Sequence, residues 1–308
     1  MDKFKHIHFE NPKEFLEFLE PENNIWFNNT NWIFRGQAQS NWGLSTTLAR
    51  QIINDKYTDN TLSNFYWNER AILNDFIFRC REIGLELPIT QKGHPDSSFL
   101  DFDERLHTLA LGQHYGLPTR MLDWTRNRWH ALFFALDTLN NLKYSRTSNL
   151  SIWCLNTAYT ELGLPLKLEG VDYTLQEFHP SFHKNLNAIS QVAMFTYLET
   201  KYDQTNAIFD ACRKFETISI NHFDLNYILK NGKINFNKKE YMIGYKLTIS
   251  RKHYKSLKLW LSNRLIKHYN LFPDYKGVVL STTNYWKESL RRNGLSLYKS
   301  NKRKKIIN

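Results

Sequence analysis

The sequence predicts an α+β fold, on three observations. Segments with strand-like and helix-like periodicity alternate irregularly, which argues against a doubly wound parallel sheet. Hydrophobic residues make up 42% of the 308 residues and aromatics 15%. That is enough apolar surface to offset the entropy of ordering a chain of about two domains' length. Among the 12 glycines the closest pair is Gly112 and Gly116. Neither G-x-G-x-x-G nor GxxxxGK[ST] is therefore present, which excludes a Rossmann fingerprint and a P-loop.

Each element has its own signal. Asn11 can cap a helix that begins at Pro12, with Glu14 at the capping-box position and Phe15, Phe18 and Leu19 on one face; Pro21 stops it. Trp32, Ile33 and Phe34 favour a strand ending at Gly36. Residues 61–83 read as a helix, with Leu62, Phe65, Tyr66, Ala71, Leu73, Phe76 and Ile77 at near-helical spacing. The stretch GLELPITQKGHPDSS reads as a loop, and residues 101–114 as another helix. MLDWT is a short apolar segment, followed by a helix that Thr125 or Asn127 can cap. Trp129, Leu132, Phe133 and Leu136 line its inner face. NLSIWCL, AMFTYL, TISI and YMIGYKLTI read as strands. Residues 253–269 read as a helix with Leu257, Trp260, Leu261, Leu265 and His268 inward.

The charge is unevenly placed. The formal net charge is +11, yet residues 1–212 hold 19 Lys and Arg against 25 Asp and Glu. Residues 213–308 hold 22 against 5. Lys287, Arg291, Arg292 and the run Lys302, Arg303, Lys304, Lys305 sit in the last part of the chain. Such a tail is either solvated or a nucleic-acid-binding arm. No apolar run approaches the ~20 residues of a membrane-spanning helix, and the start lacks the apolar core of a signal peptide. Cys80, Cys154 and Cys212 form neither a disulfide framework nor a zinc cluster. The expectation is a cytoplasmic protein with reduced thiols, no resident metal and no membrane partner.

Four constellations bear on chemistry. Arg35, at a strand end before Gly36, suits bidentate contact with phosphate or carboxylate, or pairing with a structural acid such as Asp123. Residues 112–125 pack Gln113, His114, Tyr115, Thr119, Arg120, Asp123, Trp124 and Thr125 into a turn stiffened by Gly116 and Pro118. This is either a binding site or a buried polar network. His179 and His183 have the i, i+4 spacing of a metal pair, but Pro180 and Ser181 argue for a turn. Gln191, at the expected start of a strand, is placed either to bond a ligand or to finish an edge. No nucleophile elbow, no H-E-x-x-H and no metal-type carboxylate grouping is present, which weighs against a nuclease.

Phe34-Arg35-Gly36, the spaced Trp42, Leu44, Leu48 and Arg50, QHYGLPTRMLDWT followed by ALFFA, and LFPDYKG at 271–277 together resemble the FRG domain family. The resemblance spans roughly residues 30–280, leaving 1–29 as a helical lead-in and 281–308 as a basic tail. Two places depart from the family: Gln191-Val192-Ala193-Met194-Phe195-Thr196 where Q-x-G-x-F-T is common, and LSTTLAR, which lacks the usual proline. More distantly, the chain is similar to ADP-ribosyltransferases and their split-sheet core. That similarity implies NAD as substrate, Arg35 in the first-strand role, Asp123 and Thr125 in the second, and Gln191 or Glu199 in the third. It further implies that Gln37, His114, Tyr115, Thr119, Arg120 and Trp124 contact the dinucleotide. A toxin or phage-defence effector acting on nucleic acid, RNA foremost, with an antitoxin or chaperone as protein partner, is the reading this favours. The alternative is a non-catalytic nucleotide or nucleic-acid binding module.

Overall fold

The protein was analysed as a computed structural model, which describes residues 3–20, 31–88, 100–137, 148–161, 163–180, 186–204, 208–234 and 243–286. The strands are β1 (Phe4–Phe9), β2 (Trp32–Gln37), β3 (Leu122–Thr125), β4 (Asn149–Asn156), β5 (Leu164–Leu168), β6 (Val171–Phe178), β7 (Ala193–Glu199), β8 (Lys233–Ile234) and β9 (Gly244–Ser250). The helices are α1 (Pro12–Leu19), α2 (Thr47–Asn54), α3 (Leu62–Glu82), α4 (Phe102–His114), α5 (Arg128–Asp137), α6 (Leu186–Gln191), α7 (Lys201–Gln204), α8 (Ile208–Lys214), α9 (Leu225–Asn231), α10 (Tyr254–Asn263) and α11 (His268–Leu271). Residues 275–286 are also helical. The strands form one sheet in the order β1-β9-β4-β2-β3-β7-β6-β5-β8. Only β1 and β9 pair in parallel; the remaining pairs are antiparallel. The fold is α+β, as the irregular alternation predicts.

Both faces of the sheet are covered. Along β4, Trp153 and Leu155 belong to a core shared with α2, α3, α8 and α9, through Leu48, Phe65, Ala211 and Ile228. Ile152 and Cys154 point to the other face, where they meet Phe15 and Leu19 of α1, Leu132 and Leu136 of α5, and Leu257 of α10. This is the period-2 alternation of a strand buried on both sides. A third cluster, Leu106 and Leu109 of α4 with Phe195 and Tyr197 of β7, lies farther along the sheet.

Gly36 explains one motif outright. A Cβ there would fall 1.8 Å from the Ala131 carbonyl oxygen. Strand β2 and helix α5 therefore touch backbone to backbone, and only glycine fits.

Several expectations are corrected. The N-terminal lead-in is more than a helix: β1 is an edge strand of the sheet. TISI makes no strand; Ser219 forms a lone bridge to Thr61 and Ile220 packs in the core. The helix read over 253–269 breaks into α10 and α11, with Leu265 at φ 60 and 66% exposed rather than inward. Gln191 ends α6 instead of starting a strand.

Candidate functional site

The site lies where the sheet opens. β2 pairs with β4 over six residues, and β3 with β7 over four. Between β2 and β3 only Phe34 and Thr125 are paired. The strands part beyond that pair, and a cleft of about 660 Å³ occupies the opening. That volume falls in the range of small-molecule and cofactor sites. Its walls are aromatic, from Phe34, Trp124, Phe134, Phe195 and Phe272. Its polar groups include Arg35, Gln113, His114, Tyr115, Asp123, Thr125 and Gln191.

The polar groups hold one another. The Arg35 Nη1 donates to the Asp123 carbonyl at 2.8 Å and to Asp123 Oδ2 at 3.2 Å. The Gln113 amide donates to the other carboxylate oxygen of Asp123, and Thr119 Oγ1 donates to Gln113 Oε1. Arg35 Nε is buried and has no hydrogen-bond partner. Thr125 Oγ1 donates to the Gln191 carbonyl at 2.6 Å and accepts from Asn127 N at 3.0 Å. Asn127 Oδ1 accepts from Trp129 N at 2.9 Å, capping α5. The Gln191 amide donates to the Leu271 carbonyl at 3.2 Å. His130 Nδ1 lies 3.2 Å from the Gln191 carbonyl, and burial pushes its pKa below the usual value. Burial also lowers the His114 pKa, against the charges of Asp274 and Asp123.

Val192, next to Gln191, has φ 49. A β-branched residue is strained in the left-handed region. Its carbonyl accepts from Arg126 N at 3.2 Å, which ties the strained turn to the segment after β3.

Of the residues singled out from the sequence, Arg35, Asp123, Thr125, Gln191, His114, Tyr115 and Trp124 line this one cleft. Trp124 is anchored by its indole N–H, which donates to Thr196 Oγ1 at 2.8 Å. Four others are displaced from it. Arg120 is 4% exposed and sealed in the core, with Nε 2.8 Å from both Glu69 carboxylate oxygens and Nη1 2.6 Å from Asp203 Oδ1. It pairs with these two acids and not with Asp123. Gln37 spends its amide on Gly43 and Trp153. Thr119 is fully buried and acts through Gln113. Glu199 lies at the far end of β7, bonded to Gln176, and lines a different pocket. Asp123 has both carboxylate oxygens engaged by Arg35 and Gln113, so it positions Arg35 rather than standing free as a catalytic carboxylate.

The cleft also holds residues that sequence reasoning passed over: Glu86, Leu87 and Pro88 after α3, and His107 of α4. The loop-rich composition around 84–98 carried no signal of their placement. His179 pairs with Glu177 at 3.7 Å, while His183 lies outside the described residues. No group of three or more potential metal ligands occurs among the described residues. Cys80, Cys154 and Cys212 are buried, and burial raises each thiol pKa. Lys287, Arg291, Arg292, Lys302, Arg303, Lys304 and Lys305 lie outside the described residues. Among the described residues no helix is long and apolar enough to cross a membrane.

Phe34-Arg35-Gly36 on one wall and residues 112–125 on the other are the two motif segments of the site. Residues 30–143 match the model of the FRG domain. The FRG segment thus supplies β2, β3 and α2 to α5, and with them most of the cleft's polar side chains. No curated protein and no solved structure matches the chain.

Proposed function

We propose that the cleft is the donor site of an NAD-dependent ADP-ribosyltransferase whose acceptor is nucleic acid, RNA foremost. The observation that carries this reading is the convergence of Arg35, Thr125 and Gln191, from three separated stretches of chain, on the opening between β2 and β3. An arginine on a rigid strand, pinned from one side by Asp123 and with an unbonded Nε, suits the dianionic diphosphate of a dinucleotide. The cleft needs no glycine-rich phosphate loop.

In the reaction the bond between the anomeric carbon and the nicotinamide nitrogen breaks. The electron pair leaves with nicotinamide, and positive charge builds on the ribosyl ring. Glu86, which lines the cleft, supplies negative field for that charge, while Asp123 stays committed to Arg35 and Gln113. The acceptor then bonds to the anomeric carbon and gives up its proton. The aromatic walls limit competing water, and the Thr125–Gln191 contact fixes the floor.

The test incubates the purified protein with NAD labelled in its adenylate moiety and with RNA, DNA or protein as acceptor. Label transfer by the wild type and its loss in Arg35→Ala is the expected result. Full labelling by Arg35→Ala overturns the role of Arg35. Intact NAD with every acceptor, alongside RNA binding, would leave a binding module in place of an enzyme.

A further inference from the structure

The helix at 275–286 is built the wrong way round for a surface helix. Its inward residues are small or polar: Gly277 is buried, and Ser281, Thr283 and Asn284 are half-buried. A Cβ on Gly277 would fall 1.9 Å from the Phe272 carbonyl oxygen, so the first turn rests on the backbone of that residue. Ser281 Oγ accepts from Tyr269 N at 3.1 Å, which ties the middle of the helix to α11. The outward face is apolar and aromatic. Tyr275, Tyr285 and Trp286 are 94%, 77% and 59% exposed, and Val278 and Val279 are also exposed. Tyr275, Val279, Thr282 and Trp286 follow at i, i+4, i+7 and i+11, so they form one stripe about 16 Å long, with Val278 and Tyr285 along one side. Thr282 Oγ1 donates to the Val278 carbonyl at 2.9 Å, so the hydroxyl in the stripe is turned back on its own helix. Contiguous exposed surface of this kind marks a place where a partner sits.

Two observations say what that partner is. The first is charge. Residues 251–286 hold seven Lys and Arg against one acid, Asp274. Lys276 is exposed on the helix itself, next to Tyr275. Tyr269, bonded through its main chain to Ser281, is exposed as well, and Lys267 Nζ lies 5.9 Å from its ring centroid. Exposed rings interleaved with exposed ammonium groups suit a single nucleic-acid strand, whose bases stack on the rings while its phosphates meet the cations. The second is position. Phe272, on which the helix rests, lines the cleft, and the Leu271 carbonyl takes the Gln191 amide. Asp274 and Lys276 lie close enough to His114, in the cleft, to act on its charge. The first turn of the helix therefore borders the cleft.

We propose that the helix at 275–286 seats the acceptor: a single nucleic-acid strand stacks its bases on Tyr275, Tyr285 and Trp286, sets its phosphates on Lys276 and Lys267, and enters the cleft from this side. Stacking is open to every base, so the stripe holds a strand with little preference for its sequence. The proposal deepens the transferase reading and rests on it for its purpose. Its test reads binding alone, so the two fail separately.

The probes are fluorescein-labelled single strands of about ten nucleotides, one RNA and one DNA, titrated with the full chain and followed by anisotropy. Tyr275→Ala and Trp286→Ala should each lose roughly tenfold in affinity, whereas Tyr275→Phe, which keeps the ring, should bind normally. Lys276→Gln should reduce the salt slope by about one, and the alanine variants should leave the slope unchanged. All three positions are exposed, and thermal melting checks that the variants fold. A duplex of the same sequence, with its bases already stacked on one another, should show no loss in the alanine variants. Unchanged single-strand affinity in both folded alanine variants overturns the proposal. So does a wild type that ignores both strands and instead binds a labelled acidic amphipathic peptide through Tyr275 and Trp286, which would make the stripe a protein-docking face. Strand binding that depends on the stripe, without label transfer from NAD by the wild type, upholds the proposal and removes the transferase reading. Label transfer with strand affinity unchanged in the variants does the reverse.

Discussion

A single nitrogen of Arg35, Nη1, meets Asp123 twice, at the main-chain carbonyl and at the carboxylate. Strand β3 thus holds the side chain of strand β2 across the gap in the sheet. Gln113 holds the same carboxylate from α4, and Thr119 holds Gln113. The orientation of Arg35 is therefore set by three elements of the 112–125 segment.

Asp123→Asn keeps an acceptor oxygen but removes the charge. We expect kcat/KM for NAD to fall about tenfold, mostly through KM, because a pinned side chain costs less to order on binding. Steady-state kinetics beside Arg35→Lys check it, since a lysine cannot reproduce the forked contact. Unchanged KM in Asp123→Asn would show that the ion pair does not position Arg35.

Arg120 makes a contrasting prediction. Although burial opposes its charge, Asp203 and Glu69 hold its pKa well above the usual value. Arg120→Met leaves two buried carboxylates facing each other and should cost about 3–5 kcal/mol of stability. Urea unfolding measures the loss, and NAD binding by the fraction still folded should be normal.

Stability should decline in acid. Burial lowers the His130 pKa in the fold, with the contact to the Gln191 carbonyl opposing. His222, fully buried against Tyr173 at 2.6 Å, is shifted the same way, burial outweighing Glu169. Below about pH 6.5 the unfolded chain takes up protons that the folded chain refuses, so unfolding becomes easier as pH falls. Urea midpoints at pH 7 and 5.5 read the slope. His130→Asn, which retains an N–H donor, should flatten it.

Gly36→Ala should be among the most damaging single-methyl changes in the chain. The new Cβ meets the Ala131 backbone, which cannot swing aside as a side chain would. A loss of about 3 kcal/mol, the upper end for an overpacked site, is expected, visible as a lowered melting temperature or failure to accumulate folded protein.

The long amphipathic elements were legible in the sequence. Asn11 caps α1 as expected, its side chain accepting from Lys13 N at 2.8 Å, and α3 runs within one residue of the span read from its apolar spacing. Strands β5 and β6 were not read, although Val171, Tyr173 and Leu175 alternate inward with exposed or half-buried neighbours. Both runs flank Gly170 and lack the continuous apolar signal of β4. The Arg35 and 112–125 segments were legible as chemistry because polar side chains were dense there. Which of them face the opening was not, because a buried network and a ligand site use the same residues. Arg120 and Asp123 sit three positions apart, yet one is locked in the core and the other borders the cleft. Only the partners Glu69, Asp203, Arg35 and Gln113, all remote or across a turn, decide between them.

The gap between β2 and β3 divides the sheet, but not the chain. The polypeptide crosses from one half to the other between β2 and β3, β3 and β4, β4 and β5, and again between β8 and β9. The matched segment, residues 30–143, contains both strands that border the gap and neither of their outer partners, β4 and β7. Excised alone, it would expose two unpaired strand edges and should remain unstructured by circular dichroism. The familiar stretch is thus not a portable cassette. Its cleft is closed by side chains from outside it, among them Gln191, Phe195 of β7 and Phe272 after α11.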